Sequence, residues 1–178
     1  MQLFHVSEES NIRVFEPRIP LRTDVDSTKG LVWAINEECL PNFLTPRNCP
    51  RVTYYSTDKS SKEDKEKYFS SKSSKHVVAI EHKWFETMKN TVLYLYEFDI
   101  SKFCLQDEIA GYYVSEVTQV PIKQIIMTNL FNELSNRNVE IRIVDSLWDL
   151  SDEIKRTSLN WSMCRMAYAE KNKKIISE

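Results

Sequence analysis

The sequence predicts an α+β fold: one domain over residues 1–178, with a bent or split, largely antiparallel sheet of about seven short strands and short helices. Three observations carry this. Apolar runs are short and end at prolines or polar clusters, as in "LVWAI" and "RVTYY". Strand patterns do not alternate with long helical ones, which argues against a doubly wound parallel sheet. Only two glycines occur, Gly30 and Gly111. A P-loop or dinucleotide fingerprint needs more, so a nucleotide would have to be held by side chains on strands.

The elements follow in order. Residues 1–7 read as a strand with Leu3, His5 and Ser7 on one face and Phe4 and Val6 on the other. Pro17 and Pro20 make residues 11–22 irregular. "LVWAI", 31–35, is a strand, and "NEECLPNFL" a short helix with Asn36 as cap. Residues 51–55 are a strand. Residues 56–75 are dominated by serine and lysine, which predicts a mobile surface loop. Strands are predicted at 76–81 and 92–100, with one or two helical turns between them. Residues 112–125 read as one long strand or two bent at Pro121. A helix capped by Asn129, a half-buried strand at 139–144 and a helix capped by Ser146 follow. "LNWSMCRMAYA" reads as helical and 170–178 as a frayed tail.

Composition limits the function classes. A formal charge of −2 leaves no global basic surface for non-specific nucleic-acid binding. No apolar run reaches the roughly 18 residues of a membrane span. Cys39, Cys49, Cys104 and Cys164 form no CxxC pair, so no metal is expected. With no secretory signal pattern at the N-terminus, they read as reduced thiols of a cytoplasmic protein. His76 and His82 share a strand face with Glu81 nearby, but six residues of extended chain separate them by about 20 Å, too far for one ion.

His5 is the leading candidate. Either it is a core histidine satisfied by a carbonyl, or it forms the floor of a site with Ser7 beside it. Burying imidazole and hydroxyl unpaired would cost on the order of 1–3 kcal/mol, so a cleft is expected, bordered also by Trp33. Arg18 is a phosphate candidate, or a surface ion-pair partner of Glu16. Arg47 and Arg51, which flank Cys49 and Pro50, are further phosphate candidates, with surface charge the favoured reading for both. Tyr54, Tyr94, Tyr96 and Trp148 read as core or cleft wall. No local signature makes Cys39 or Cys49 a nucleophile with His76 or His82.

Three stretches, "FHVSEESNIRVFEPR", "GLVWAINEECLPNFL" and "GYYVSEVTQVPIKQI", together resemble the ADP-ribosyltransferase-like fold. The resemblance implies NAD or an ADP-ribose-like ligand. It assigns His5 to the ribose and Trp33 to stacking on nicotinamide; Ser7, Arg18 and Tyr113 are grouped with them as candidate contacts of the same ligand. The catalytic carboxylate position falls on Gly111 or Tyr112, and Glu116, a few residues later, is the remaining candidate. Nearly the whole chain also resembles a family of uncharacterised bacterial proteins, on "LFHVSEE", "GLVWAI", "LYLYEFD", "GYYVS" and the late "LW". Two functions follow: an ADP-ribosyltransferase-related nucleotide-binding domain, or a non-catalytic domain using the fold for a small ligand or a protein partner. Neither membrane nor nucleic acid is an expected partner.

Overall fold

In the computed structural model the described residues are 1–19 and 28–172. In chain order the strands are β1 (Leu3–Ser7), β2 (Val32–Asn36), β3 (Arg51–Tyr55), β4 (His76–Glu81), β5 (Leu93–Phe98), β6 (Cys104–Asp107), β7 (Tyr112–Ser115), β8 (Lys123–Met127), β9 (Val139–Val144) and β10 (Asn160–Cys164). The α-helices are α1 (Lys62–Tyr68), α2 (Phe85–Asn90), α3 (Leu130–Asn136) and α4 (Trp148–Ile154). The class is α+β, as expected, with two mostly antiparallel sheets.

The contacts divide the chain into two units, one of Met1–Phe43 with Val92–Met127, the other of Leu44–Thr91 with the chain from Thr128 onward. The first holds a six-stranded antiparallel sheet in the order β6-β7-β2-β1-β5-β8. One of its faces collects Leu3, Val32, Ala34, Tyr96 and Phe98 against Phe15 and Phe103. The second unit holds the sheet β10-β3-β4-β9, in which only β4 and β9 run parallel. Every residue of β3 and β4 is buried. Val52, Tyr54, Val77 and Ala79 pack there against Tyr68, Leu147, Ile154 and Leu159.

Among the described residues, ten strands replace about seven. The bend at Pro121 separates β7 from β8, and two further strands lie where the pattern is weak. β6 is an exposed edge strand without apolar alternation. β10 falls inside the segment expected to be helical. It pairs along its whole length with β3, whose buried backbone groups need a partner on both sides; that tertiary demand overrides local propensity.

The serine- and lysine-rich stretch is corrected as well: its middle is helix α1. Ser61 caps it, the hydroxyl accepting from the amide of Asp64 at 3.1 Å, with Glu63 and Asp64 in the first turn. Asp64 in turn accepts from the Ser158 hydroxyl at 2.6 Å and amide at 2.8 Å, which hold its carboxyl below the usual range. Tyr68 is buried. Its carbonyl accepts from the Tyr54 hydroxyl at 2.9 Å and Arg142 at 2.7 Å. Composition averaged over twenty residues hid a cap and one apolar anchor.

The end of the chain differs too. The amide of Glu170 donates to both oxygens of buried Glu81 at 2.9 and 3.0 Å, and its carbonyl accepts from the Trp148 indole at 2.6 Å. The expected fraying therefore does not include Glu170, and residues 173–178 of that tail lie outside the described residues, as do 20–22 of the expected irregular segment. Ser146 accepts from the amide of Trp148 at 3.5 Å, but Leu147 is the cap residue of α4.

Two outcomes test this packing. Tyr68→Ala removes the anchor of α1 and should cost about 3 kcal/mol in urea denaturation; a cost near zero would mean that the segment behaves as the loop its composition suggests. His76 is buried and its imidazole pKa is pushed down to about 4 by desolvation. The unfolded chain then binds the proton more readily. Stability should be full above the ordinary pKa near 6.5 and fall by about 3 kcal/mol as pH drops to 4. His76→Phe should flatten that part of the melting-temperature profile.

Candidate functional site

β1 is an inner strand, but its two neighbours hold it unequally. It pairs with β5 along all of Leu3–Ser7, from Leu3 opposite Phe98 to Ser7 opposite Tyr94. With β2 it forms only Leu3–Asn36 and Phe4–Ile35. Beyond Phe4 the ladder stops although both strands continue. The same spacing would set Ala34 opposite His5. Instead, the Nδ1 of His5 lies 3.0 Å from the carbonyl oxygen of Trp33. A carbonyl only accepts, so Nδ1 carries the proton. The imidazole thus supplies the hydrogen bond that the ladder withholds.

His5 shares its face with Tyr96, its partner on β5. Its ring lies 4.9 Å from that of Phe15, which also makes edge-on contacts with Tyr96 at 5.2 Å and Phe98 at 5.0 Å. Phe15 is fixed by a two-way backbone bridge with Gln119, 2.8 and 2.9 Å. Gln119 is buried and donates to the Ser115 hydroxyl at 2.8 Å. The Tyr96 hydroxyl, at the centre of this face, donates to the Glu9 carbonyl at 2.6 Å and accepts from the Ile12 amide at 3.2 Å and Gln124 Nε2 at 2.9 Å. One buried phenol thereby fastens the segment after β1 across the sheet.

The other candidates lie apart. Continuing the β1–β2 spacing puts Trp33 opposite Val6, on the face away from His5. Its indole packs edge-on against Tyr112 at 5.4 Å, and Tyr112 against Phe43 at 5.8 Å. The expected cleft bordered by both His5 and Trp33 is therefore not what the register builds: strand alternation separates the two rings. Ser7 accepts from the Glu9 amide at 3.0 Å. Tyr113 is on the His5 face, packed against the Leu3–Phe98 cluster, its hydroxyl 3.5 Å from the Met1 sulfur. Arg18 is exposed and bridges Leu31 through its backbone. Glu116 is exposed and ion-paired with Lys29 at 2.8 Å.

Other readings change with burial. Arg51 is buried rather than on the surface, and donates to the Cys49 carbonyl at 3.0 Å. Burial pushes the Cys49 thiol up to about 12 despite the neighbouring Arg51, which favours the thiol over the reactive thiolate. Among the described residues no group of three or more His, Cys, Asp or Glu is placed to hold a metal ion, and no helix is long and apolar enough to cross a membrane. Phe15, Gln119 and Gln124 were not distinguished by any sequence signal: their roles depend on contacts made more than 25 residues away in the chain.

An α+β chain with two mostly antiparallel sheets is the class that the fold defines. The chain belongs to the family of unknown function DUF6886, whose model matches residues 4–169. No curated protein and no solved structure matches it.

Tyr96→Phe leaves the Glu9 carbonyl, the Ile12 amide and the Gln124 amide without their shared partner. It should cost about 1–3 kcal/mol and speed hydrogen exchange at Ile12. Unchanged stability and exchange would show that the segment is held by Phe15 alone.

Proposed function

We propose that the protein is a nucleotide-binding domain related to the ADP-ribosyltransferases, taking NAD or an ADP-ribose-like molecule on its first unit and carrying out no transfer. The observation that supports binding is the parting of β1 from β2 beyond Phe4, with the polar His5 and Ser7 in the parted stretch. An opened ladder presents backbone groups and strand side chains to a ligand, as a chain with two glycines requires. Tyr113, on the His5 face, is a further contact; Arg18, exposed at the edge of this region, suits a phosphate. A ligand that takes the Nδ1 proton of His5 competes with the Trp33 carbonyl.

The non-catalytic half of this reading is favoured by Glu116. Its carboxylate is exposed and neutralised by Lys29. A ribosyl centre developing positive charge gains little from such a solvated group. The four free cysteines fit a bacterial cytoplasm as the setting.

Calorimetric titration with NAD and with ADP-ribose tests both halves. The expected result is saturable heat that His5→Ala weakens at least tenfold, with no nicotinamide released on long incubation. No heat at millimolar ligand would overturn the binding assignment, and nicotinamide release that depends on Glu116 would overturn the non-catalytic one.

A further inference from the structure

Glu81 ends β4 wholly buried, and a carboxylate out of water needs donors. The Glu170 amide donates to both its oxygens, at 2.9 and 3.0 Å, and Lys83 lies 3.4 Å from Oε2. That amide belongs to the short segment after β10: Arg165, a 3₁₀ turn at Met166–Tyr168, Ala169 and Glu170. The segment has little apolar hold. Arg165, Ala167, Tyr168 and Glu170 are exposed, while Met166 packs half-buried against the core of the second unit. Its polar fastenings gather at the far end. The Glu170 carbonyl accepts from the Trp148 indole at 2.6 Å, and its carboxylate meets Lys83 at 2.8 Å. At the near end Arg165 is left-handed, with φ 57°, a conformation that strains any residue with a Cβ. A segment exposed along most of its length, hooked at one residue and pivoted on a strained one, has the low local stability of elements that open alone.

We propose that Arg165–Glu170 is a releasable strap, which swings out about Arg165 while the four-stranded sheet stays folded and so bares the Glu81 carboxylate. Lys83 makes the open state tolerable. Its side chain is 40% exposed and bridges Glu81 and Glu170. Two residues from Glu81 in the chain, it stays beside that carboxylate when the strap leaves, and water replaces the lost amide. The charge is then neither unpaired nor shut away from solvent. Closed, the strap's own backbone occupies the carboxylate; open, the same carboxylate is an acidic site at the end of β4. The strap belongs to the second unit and the nucleotide reading to the first, so each stands or falls alone.

Native-state hydrogen exchange of the full chain tests this, together with brief labelling of carboxyls by a water-soluble carbodiimide and glycinamide. The Glu170 amide should be protected, yet exchange through an opening nearly insensitive to low denaturant, while the amides of Val77–Ile80 wait for global unfolding. Two variants loosen the hook. Trp148→Phe removes the indole donor and keeps an aromatic ring. Glu170→Pro removes the amide, and Ala169, at φ −67° and ψ 161°, already has the backbone that precedes a proline. Each should speed labelling of Glu81 by about tenfold, as the loss of one hydrogen bond implies, with exchange at Val77–Ile80 unchanged. An unprotected Glu170 amide, or one with the denaturant dependence of β4, would overturn the proposal. So would labelling of Glu81 that neither variant speeds, or variants that lower protection along β4 equally.

Discussion

A carbonyl oxygen in a sheet must find a donor, and Trp33 finds one in a side chain. β1 and β2 pair for two residues and then separate, so the Trp33 carbonyl accepts from the imidazole of His5 at 3.0 Å. An unmade buried hydrogen bond costs about 1–3 kcal/mol. The histidine thus gives that carbonyl a donor where the pairing of β1 and β2 ends.

The rest of the unit is arranged around that parting. β1 keeps its full register with β5, which sets Tyr96 beside His5. The Tyr96 hydroxyl draws Glu9 and Ile12 over the sheet, and Phe15 closes on the imidazole. The aromatic cover and the polar gap are thus products of the same pairing. The second unit depends on a different constraint, two strands buried at every residue, for which β9 and β10 supply the flanking ladders.

The elements with strong local patterns were legible in the sequence. Strands β1, β3, β4, β5 and β9 lie where apolar runs or alternation put them, and Asn129 caps α3 as its side chain predicts. What was not legible came from partners remote in sequence. β10 is a strand because β3 needs it. α1 is ordered because Ser61 caps it and Tyr68 reaches a core, facts that composition cannot register. At the candidate site, the face shared by His5 and Ser7 followed from period-two alternation. The relation of His5 to Trp33 did not, because it depends on the register between two strands and on where that register ends. Of the alternatives posed for His5, the structure shows the carbonyl partner, while the register between β1 and β2 does not build the cleft shared with Trp33.

The most direct measurement of this account is the tautomer of His5, read by nitrogen-15 NMR of the imidazole well above the ordinary histidine pKa of about 6.5, where only neutral forms remain. His5→Gln identifies the signal among the three histidines. The account predicts the Nδ1–H tautomer, with a proton protected from exchange by the Trp33 carbonyl. An Nε2–H tautomer with a bare Nδ1 would contradict it, since Nδ1 would then have no proton to donate to the Trp33 carbonyl.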